Sequence, residues 1–248
     1  NVPPGSISTI NEWAVFGHVT KESRILEIAC TTGFSGREIA KLTGCSVYGI
    51  DINKFSVERA EAAAAHYAPQ CNLKYDCIDI YDISLTTKYT HIILGAAIQF
   101  FVNKDQLMNT LIGLLEDDGK ILVSPYYLKD KRLPAVVIDD AEKVIGITPT
   151  DFGYDVAMEY YKDLEILYQS RKDIILETSI QMNKYTLDTV NRCCNLEGID
   201  DPEIKKLLYN RLYKIKEICN RIHQYHSYSV MVLRYGKNIY PNRFIELF

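Results

Sequence analysis

Between Ser23 and Pro125 the chain repeats one pattern: a short apolar run, a turn of small or acidic residues, then a segment of helical period. The runs occupy residues 24–30, 46–51, 73–78, 90–95 and 120–124, are rich in Ile, Leu and Val, and are bounded by Gly, Asp, Thr or Pro. Runs of that kind read as strands buried on both faces. Interleaved with helices, they predict an α/β fold built on an open, mostly parallel sheet with helices on both faces. The intervening helices carry their own signals. Residues 34–43 are stopped by Gly44, Ser56 is positioned to cap an Ala-rich helix that runs to about Tyr67, and Asn103 with Gln106 resembles a capping box. Leu107, Leu111, Leu114 and Leu115 then share one helical stripe until Glu116-Asp117-Asp118-Gly119 ends it.

Past residue 125 the rhythm changes. A strand at 164–169 is followed by the final one, 227–235, only after a long interval that reads as helix. Asp201-Pro202-Glu203 is a strong helix start, and Ile204, Leu207, Leu208, Leu212, Ile215, Ile218, Cys219 and Ile222 keep a single stripe beyond it. The expected organisation is an N-terminal helical segment (1–22), an α/β core (23–170), a helical insertion (171–226) and a last strand with its tail (227–248). At 248 residues, 47% hydrophobic and 24% charged, the chain has an ordinary globular composition, which excludes disordered, collagen-like and disulfide-scaffold classes. A net charge of −4 argues against a broadly basic nucleic-acid coat. No apolar run approaches the roughly 20 residues that span a bilayer, and the first residues lack the features of a signal peptide. Seven scattered cysteines point to free thiols, so the expectation is a cytoplasmic protein with no membrane partner.

The turn after the first run, Glu27-Ile28-Ala29-Cys30-Thr31-Thr32-Gly33, is made of small residues where a parallel sheet offers its carboxyl edge to ligands. Asp51 ends the second run, where a carboxylate can accept from both hydroxyls of a ribose, and Asp79 follows the third, positioned for an adenine amino group. One acid at a strand end is often only a turn former. Three in register on successive strands are a stronger signal. A nicotinamide-dinucleotide reading is poorer, because it calls for three glycines in this turn and only Gly33 is present.

At these residues the chain resembles the class I S-adenosylmethionine-dependent methyltransferases, of the type that acts on small molecules. The likeness extends from about Arg24 to Ser124. Glu27 and Gly33 match the ends of the family's acid-and-alternating-glycine motif, whereas Ala29 and Thr31 depart from it. Val47-Tyr48-Gly49-Ile50-Asp51 and Cys77-Ile78-Asp79-Ile80 match its second and third acids, Tyr89-Thr90 keeps the ring of its aromatic-Asp pair without the acid, and Leu114 to Leu122 matches its helix-to-fifth-strand turn. The resemblance implies a Rossmann-like sheet of seven strands and S-adenosyl-L-methionine as cofactor, released as S-adenosyl-L-homocysteine. It further implies that Glu27, Ala29, Cys30, Thr31 and Gly33 hold the methionine moiety, Asp51 the ribose, Asp79 and Ile80 the adenine, with Ile52 a further cofactor contact, while Gly95 and Ala96 face the methyl.

Methyl transfer from a sulfonium is an in-line displacement, so alignment matters more than proton abstraction. Gln99, just past the fourth strand, cannot serve as a base near neutral pH and is expected to orient the acceptor. Phe100, Tyr126, Tyr127 and Trp13 are the expected substrate walls, with the insertion as a roof that favours a small acceptor with an O, N or C nucleophile. Tyr154, Tyr160 and Tyr161 are read chiefly as packing, and so are His91 and the Cys193-Cys194 pair; no metal site is expected. The locally basic stretch from Lys205 onward keeps an RNA acceptor as an alternative, alongside a protein acceptor and a non-catalytic scaffold.

Overall fold

The computed structural model describes residues 2–236. In chain order the elements are α1 (Ile7–Phe16), β1 (Arg24–Ile28), α2 (Phe34–Thr43), β2 (Ser46–Asp51), α3 (Lys54–Tyr67), β3 (Leu73–Cys77), β4 (Tyr89–Gly95), α4 (Lys104–Leu114), β5 (Leu115–Val123), β6 (Tyr126–Leu128), α5 (Ala135–Val144), α6 (Tyr154–Glu159), β7 (Glu165–Asp173), α7 (Ser179–Glu197), α8 (Pro202–His223) and β8 (His226–Arg234). The sheet runs β3-β2-β1-β4-β5-β8-β6, with β7 also paired to β8. Pairings among β1 to β5 are parallel, and β8 lies antiparallel to β5. The mostly parallel α/β sheet expected from the strand rhythm, and the Rossmann-like architecture that the resemblance implies, are therefore present. Among the described residues the sheet has eight strands rather than seven, the additional one being the three-residue β6.

The buried runs behave as their composition dictates. Leu26, Ile92, Ile121, Leu107 and Leu111 are fully buried in one cluster with Tyr161 and Met231, so the α4 stripe seats on one face of the central strands. Truncating any such residue to Ala costs about 2–5 kcal/mol. Two local expectations change. Asn53, not Ser56, caps α3: its Oδ1 accepts from the Ser56 amide at 3.3 Å, because an Asn side chain one residue before the first turn reaches the amide three residues on. The acidic turn 116–119 is the irregular start of β5 rather than a loop outside the sheet, with a register shift against β4 and Asp118 at φ 64°. Asn103 caps α4 as expected, its Oδ1 accepting from the Gln106 amide at 2.9 Å.

The chain divides into two compact units. The first contains the chain through Tyr126, Asp155–Lys172 and the chain from Tyr228; the second contains Tyr127–Tyr154 and Asp173–Ser227. Residues 127–154, which the sequence pattern assigned to the core, thus group with the helices. The reason is packing: Leu128, Leu133, Val137 and Ala141 bury against Ile218 and Ile222 of α8, and Arg221 pairs with Asp140 at 2.6 Å. The helical interval consists of two helices. α7 closes at Gly198, a left-handed residue at φ 66°, and α8 opens with the Asp201 side chain accepting from the Glu203 amide. No helix of the described residues is long and apolar enough to cross a membrane.

Candidate functional site

The turn from β1 into α2 carries an unusual backbone. Ala29, Thr31 and Gly33 all have positive φ, at 49°, 49° and 64°. Those are the alternate positions of the glycine motif that the chain resembles, and all three adopt the backbone that glycine takes most easily, with side chains at two of the three places. Gly33 itself has no room for a Cβ, which would lie 2.5 Å from the Tyr75 hydroxyl.

Asp51 sits 8% exposed at the end of β2, with both carboxylate oxygens already engaged: Oδ2 accepts from the Thr31 amide and Oδ1 from the Asn53 amide, each at 2.9 Å. Each oxygen retains a lone pair, so the fixed carboxylate can still accept from a ligand hydroxyl. Asp79 is exposed and accepts from the Tyr81 amide at 3.1 Å, starting a short 3₁₀ turn. Between these turns lies a cavity of about 410 Å³, within the size range of small-molecule sites. Its lining brings together Ala29, Asp51, Ile52, Asp79, Ile80 and Phe100 of the expected residues. Ile52 and Phe100 form a markedly exposed apolar rim, at 76% and 60%.

Other expected residues are placed elsewhere. Glu27 is buried beneath α2, where its Oε2 accepts from the Gly36 amide at 3.1 Å; burial pushes its pKa up to about 7, against the pull of that amide, the Ser35 hydroxyl and the Arg37 guanidinium. Its side chain supports the loop rather than lining the cavity. The Cys30 side chain packs with Val57, Ala60 and Tyr75, and burial raises its thiol pKa, so only its backbone belongs to the loop edge. Gly95 has φ 56° and Ala96 is half-buried, both at the end of β4 and outside the cavity lining. Gln99 is half-buried in the next turn, one residue before the lining begins at Phe100.

Trp13 is not a wall of this cavity: it is fully buried and donates its indole N–H to the Val123 carbonyl at 3.3 Å, which ties α1 to β5. Tyr126 is half-buried at the start of β6. Tyr127 belongs to the second unit, buried and edge-to-face with Tyr154 at 5.2 Å. His91 is the satisfied core residue its position in a strand suggested, with Nε2 on the Gly17 carbonyl at 2.9 Å and Nδ1 on Thr90 Oγ1 at 2.8 Å; burial lowers its pKa to about 4.

Sequence reasoning missed part of the cavity wall. Ile28, Ile50 and Ile78, at or beside the carboxyl ends of β1, β2 and β3, line it on one side, and Tyr81, Phe101, Val102, Asn103 and Gln106 line it as well. The Asn103 and Gln106 signal was read as a helix cap, which it is. Its position after β4 was the clue that the first turn of α4 would border the same carboxyl edge.

A methyltransferase-domain family model matches residues 19–191, most of the chain. The chain belongs to that family. Its class is that of the S-adenosylmethionine-dependent methyltransferases of class I. Malonyl-[acyl-carrier protein] O-methyltransferase of Bacillus cereus is 25% identical over 206 residues, covering 82% of this chain and 64% of that protein. The chain spans less than two thirds of the length of the curated relatives it matches. Among solved structures, the MccD protein superposes with a TM-score of 0.75 at 23% identity, covering 95% of this chain and all of that one. An S-adenosylmethionine-dependent methyltransferase of Geobacter sulfurreducens, solved with S-adenosyl-L-homocysteine, gives 0.65 at 14% identity, covering 91% and 90%. The cofactor of the class, S-adenosylmethionine, suits the residues present: a left-handed backbone cradle, one fixed and one exposed carboxylate on neighbouring strands, and apolar walls between them.

Proposed function

We propose that the protein is a methyltransferase that acts on a small-molecule acceptor and holds S-adenosylmethionine along the turns after β1, β2 and β3. The observation that carries this reading is a cavity lined by Ala29, Asp51 and Asp79, bordered by a loop in which Ala29, Thr31 and Gly33 all have positive φ and whose Thr31 amide is held by Asp51. In this reading the backbone of Ala29 to Gly33 receives the methionine end, Asp51 accepts from the ribose hydroxyls, and Asp79 with Ile80 and Ile52 holds the adenine. When bound, the cofactor supplies an electrophilic methyl carbon. Gln99 orients the acceptor through its amide, Phe100 shields the reacting region from water, and no general base is required of the chain. Tyr126 is the further acceptor contact proposed, while Tyr127, buried against Tyr154, is not.

The exposed ring of Phe100, on the side where the acceptor would enter, favours a small acceptor with apolar surface over a polyanion. The relative that acts on a malonyl group attached to a carrier protein fits an acceptor of small size as well. Two measurements test the reading. Calorimetry with S-adenosylhomocysteine should show binding that weakens roughly thirtyfold in Asp51→Ala, since losing a fixed acceptor of two hydroxyls costs about 2 kcal/mol. Labelled methyl from the cofactor should enter a small-molecule extract faster than bulk tRNA or protein. Equal or preferred transfer to either polymer overturns the acceptor class, and binding indifferent to Asp51→Ala overturns the site.

A further inference from the structure

Ala29 and Thr31 hold a conformation that is sterically costly for any residue with a Cβ, and more so for a β-branched one. Such positions persist where the surroundings over-determine them. Here the loop is held on two sides. From β2, Asp51 Oδ2 takes the Thr31 amide at 2.9 Å. From behind, Arg37 in the first turn of α2 donates through Nη1 to the Thr32 carbonyl at 3.1 Å and to the Gly33 carbonyl at 3.4 Å.

Arg37 is an odd residue for that position unless it has a task, because it is only 7% exposed. Its guanidinium is itself fixed. It lies 5.8 Å from the Phe34 ring centre and 5.7 Å from that of Tyr67, and its Nε is 3.4 Å from Glu38 Oε1. Tyr75 adds a second donor, its hydroxyl reaching the Gly33 carbonyl at 3.4 Å. The rings, the counter-ion and the carbonyls together define where one nitrogen sits, and that nitrogen defines where the loop sits.

We infer that Arg37 is a positioning residue for the cofactor loop: its grip on the Thr32 and Gly33 carbonyls keeps Ala29 and Thr31 in the left-handed conformation that glycines would adopt unaided. The inference rests on the placement of the cofactor in that loop proposed above. Without the guanidinium, Ala29 and Thr31 relax toward negative φ and the cradle opens. With glycines at both positions there is little strain to relieve, and the grip becomes dispensable.

The test is a double-mutant cycle read by the dissociation constant of S-adenosylhomocysteine. Arg37→Met in the parent loop should weaken binding about tenfold, and the same change in the Ala29→Gly, Thr31→Gly background by no more than about threefold. Amide exchange in the ligand-free protein should quicken at Thr31 and Gly33 in Arg37→Met, a response that loss of distant stability alone does not localise. Should Arg37→Met fail to fold, Arg37→Lys takes its place in the cycle, since an ammonium keeps the charge but cannot stack between the two rings. Equal losses in the two loops overturn the inference while leaving the site intact, provided that Asp51→Ala weakens binding in the same assay. Binding indifferent to Asp51→Ala overturns the site placement, and the inference with it.

Discussion

The two ends of the parallel strands are built from the same chain by opposite rules. At the amino edge, polar groups are paired with one another. Thr90 Oγ1 accepts from the Arg24 amide at 2.9 Å, the Arg24 side chain pairs with Glu116, and Arg234 bonds Asp118 Oδ1 at 3.0 Å and, through Nε, Glu165 Oε2 at 2.8 Å. At the carboxyl edge the backbone is strained at Ala29 and Thr31, an acid is buried at Glu27, and apolar side chains stand exposed around a cavity. The difference teaches where stability is held and where it is given up. The amino edge closes the sheet, while the carboxyl edge carries costs that a ligand can offset. Thr90 illustrates the amino edge: it stands where the resemblance to the family expects an acid, and its hydroxyl accepts from the Arg24 amide and donates to the Arg24 carbonyl.

If that division is sound, the largest stability loss should come from the end remote from the cavity. Arg234 is 6% exposed between two carboxylates that keep 34% and 31% of their side-chain surface in solvent, so Arg234→Met leaves two partly solvated acids without their partner and should destabilise the fold by about 3 kcal/mol, measured by urea unfolding. Affinity for S-adenosylhomocysteine, measured on the folded fraction, should be unchanged; a matching loss of affinity breaks the comparison.

The next effect is a pH dependence of opposite sign at the two ends. Glu27 is neutral in both states below its ordinary pKa of 4.5. As pH rises from there to about 7, the unfolded chain gives up the proton that the folded one keeps, so stability falls across that window. Glu27→Gln removes the dependence, worth about 3 kcal/mol at full extent, and unfolding at a series of pH values should show the flattened profile. His91, at the amino edge, contributes the reverse: its folded pKa lies near 4 against an ordinary 6.5, so stability is lost as pH falls through that interval. A Glu27→Gln profile that keeps the parent slope above pH 5 would mean that burial does not hold the proton.

The smallest effect sharpens the contrast most. Thr31→Gly relieves a left-handed β-branched residue at the carboxyl edge, and after the entropy cost of glycine it should stabilise the fold by about 0.5–1 kcal/mol. A drop in the thermal midpoint instead would show that the threonine side chain contributes more than its backbone costs.

Much of this was legible in the residue order. The apolar runs located β1 to β4 to within a residue or two, since strands buried on both faces leave an uninterrupted signature. Gly44, Asn103 and Asp201 marked helix ends because capping is chemistry local to a turn. Spacing plus topology pointed to Asp51 and Asp79, and the family resemblance to Ile80; all three line the cavity. Arg37 was not, because a basic residue on a short helix gives no sign of being buried. Trp13 was misplaced because an aromatic on an amphipathic helix reads alike whether it covers a ligand or a strand; only its bond to Val123, far along the chain, distinguishes the two.

The sequence by itself determined the parallel α/β sheet, the family, and which strand ends bear the acids, all of which depend on periodicity and on residues near one another in the chain. The tertiary structure decided which small residues are strained, which acid is buried and which is presented, and which arginine holds the loop. Those are decided by contacts between segments far apart in the chain, such as Thr31 with Asp51 and Gly33 with Tyr75, and by the desolvation that comes only with packing.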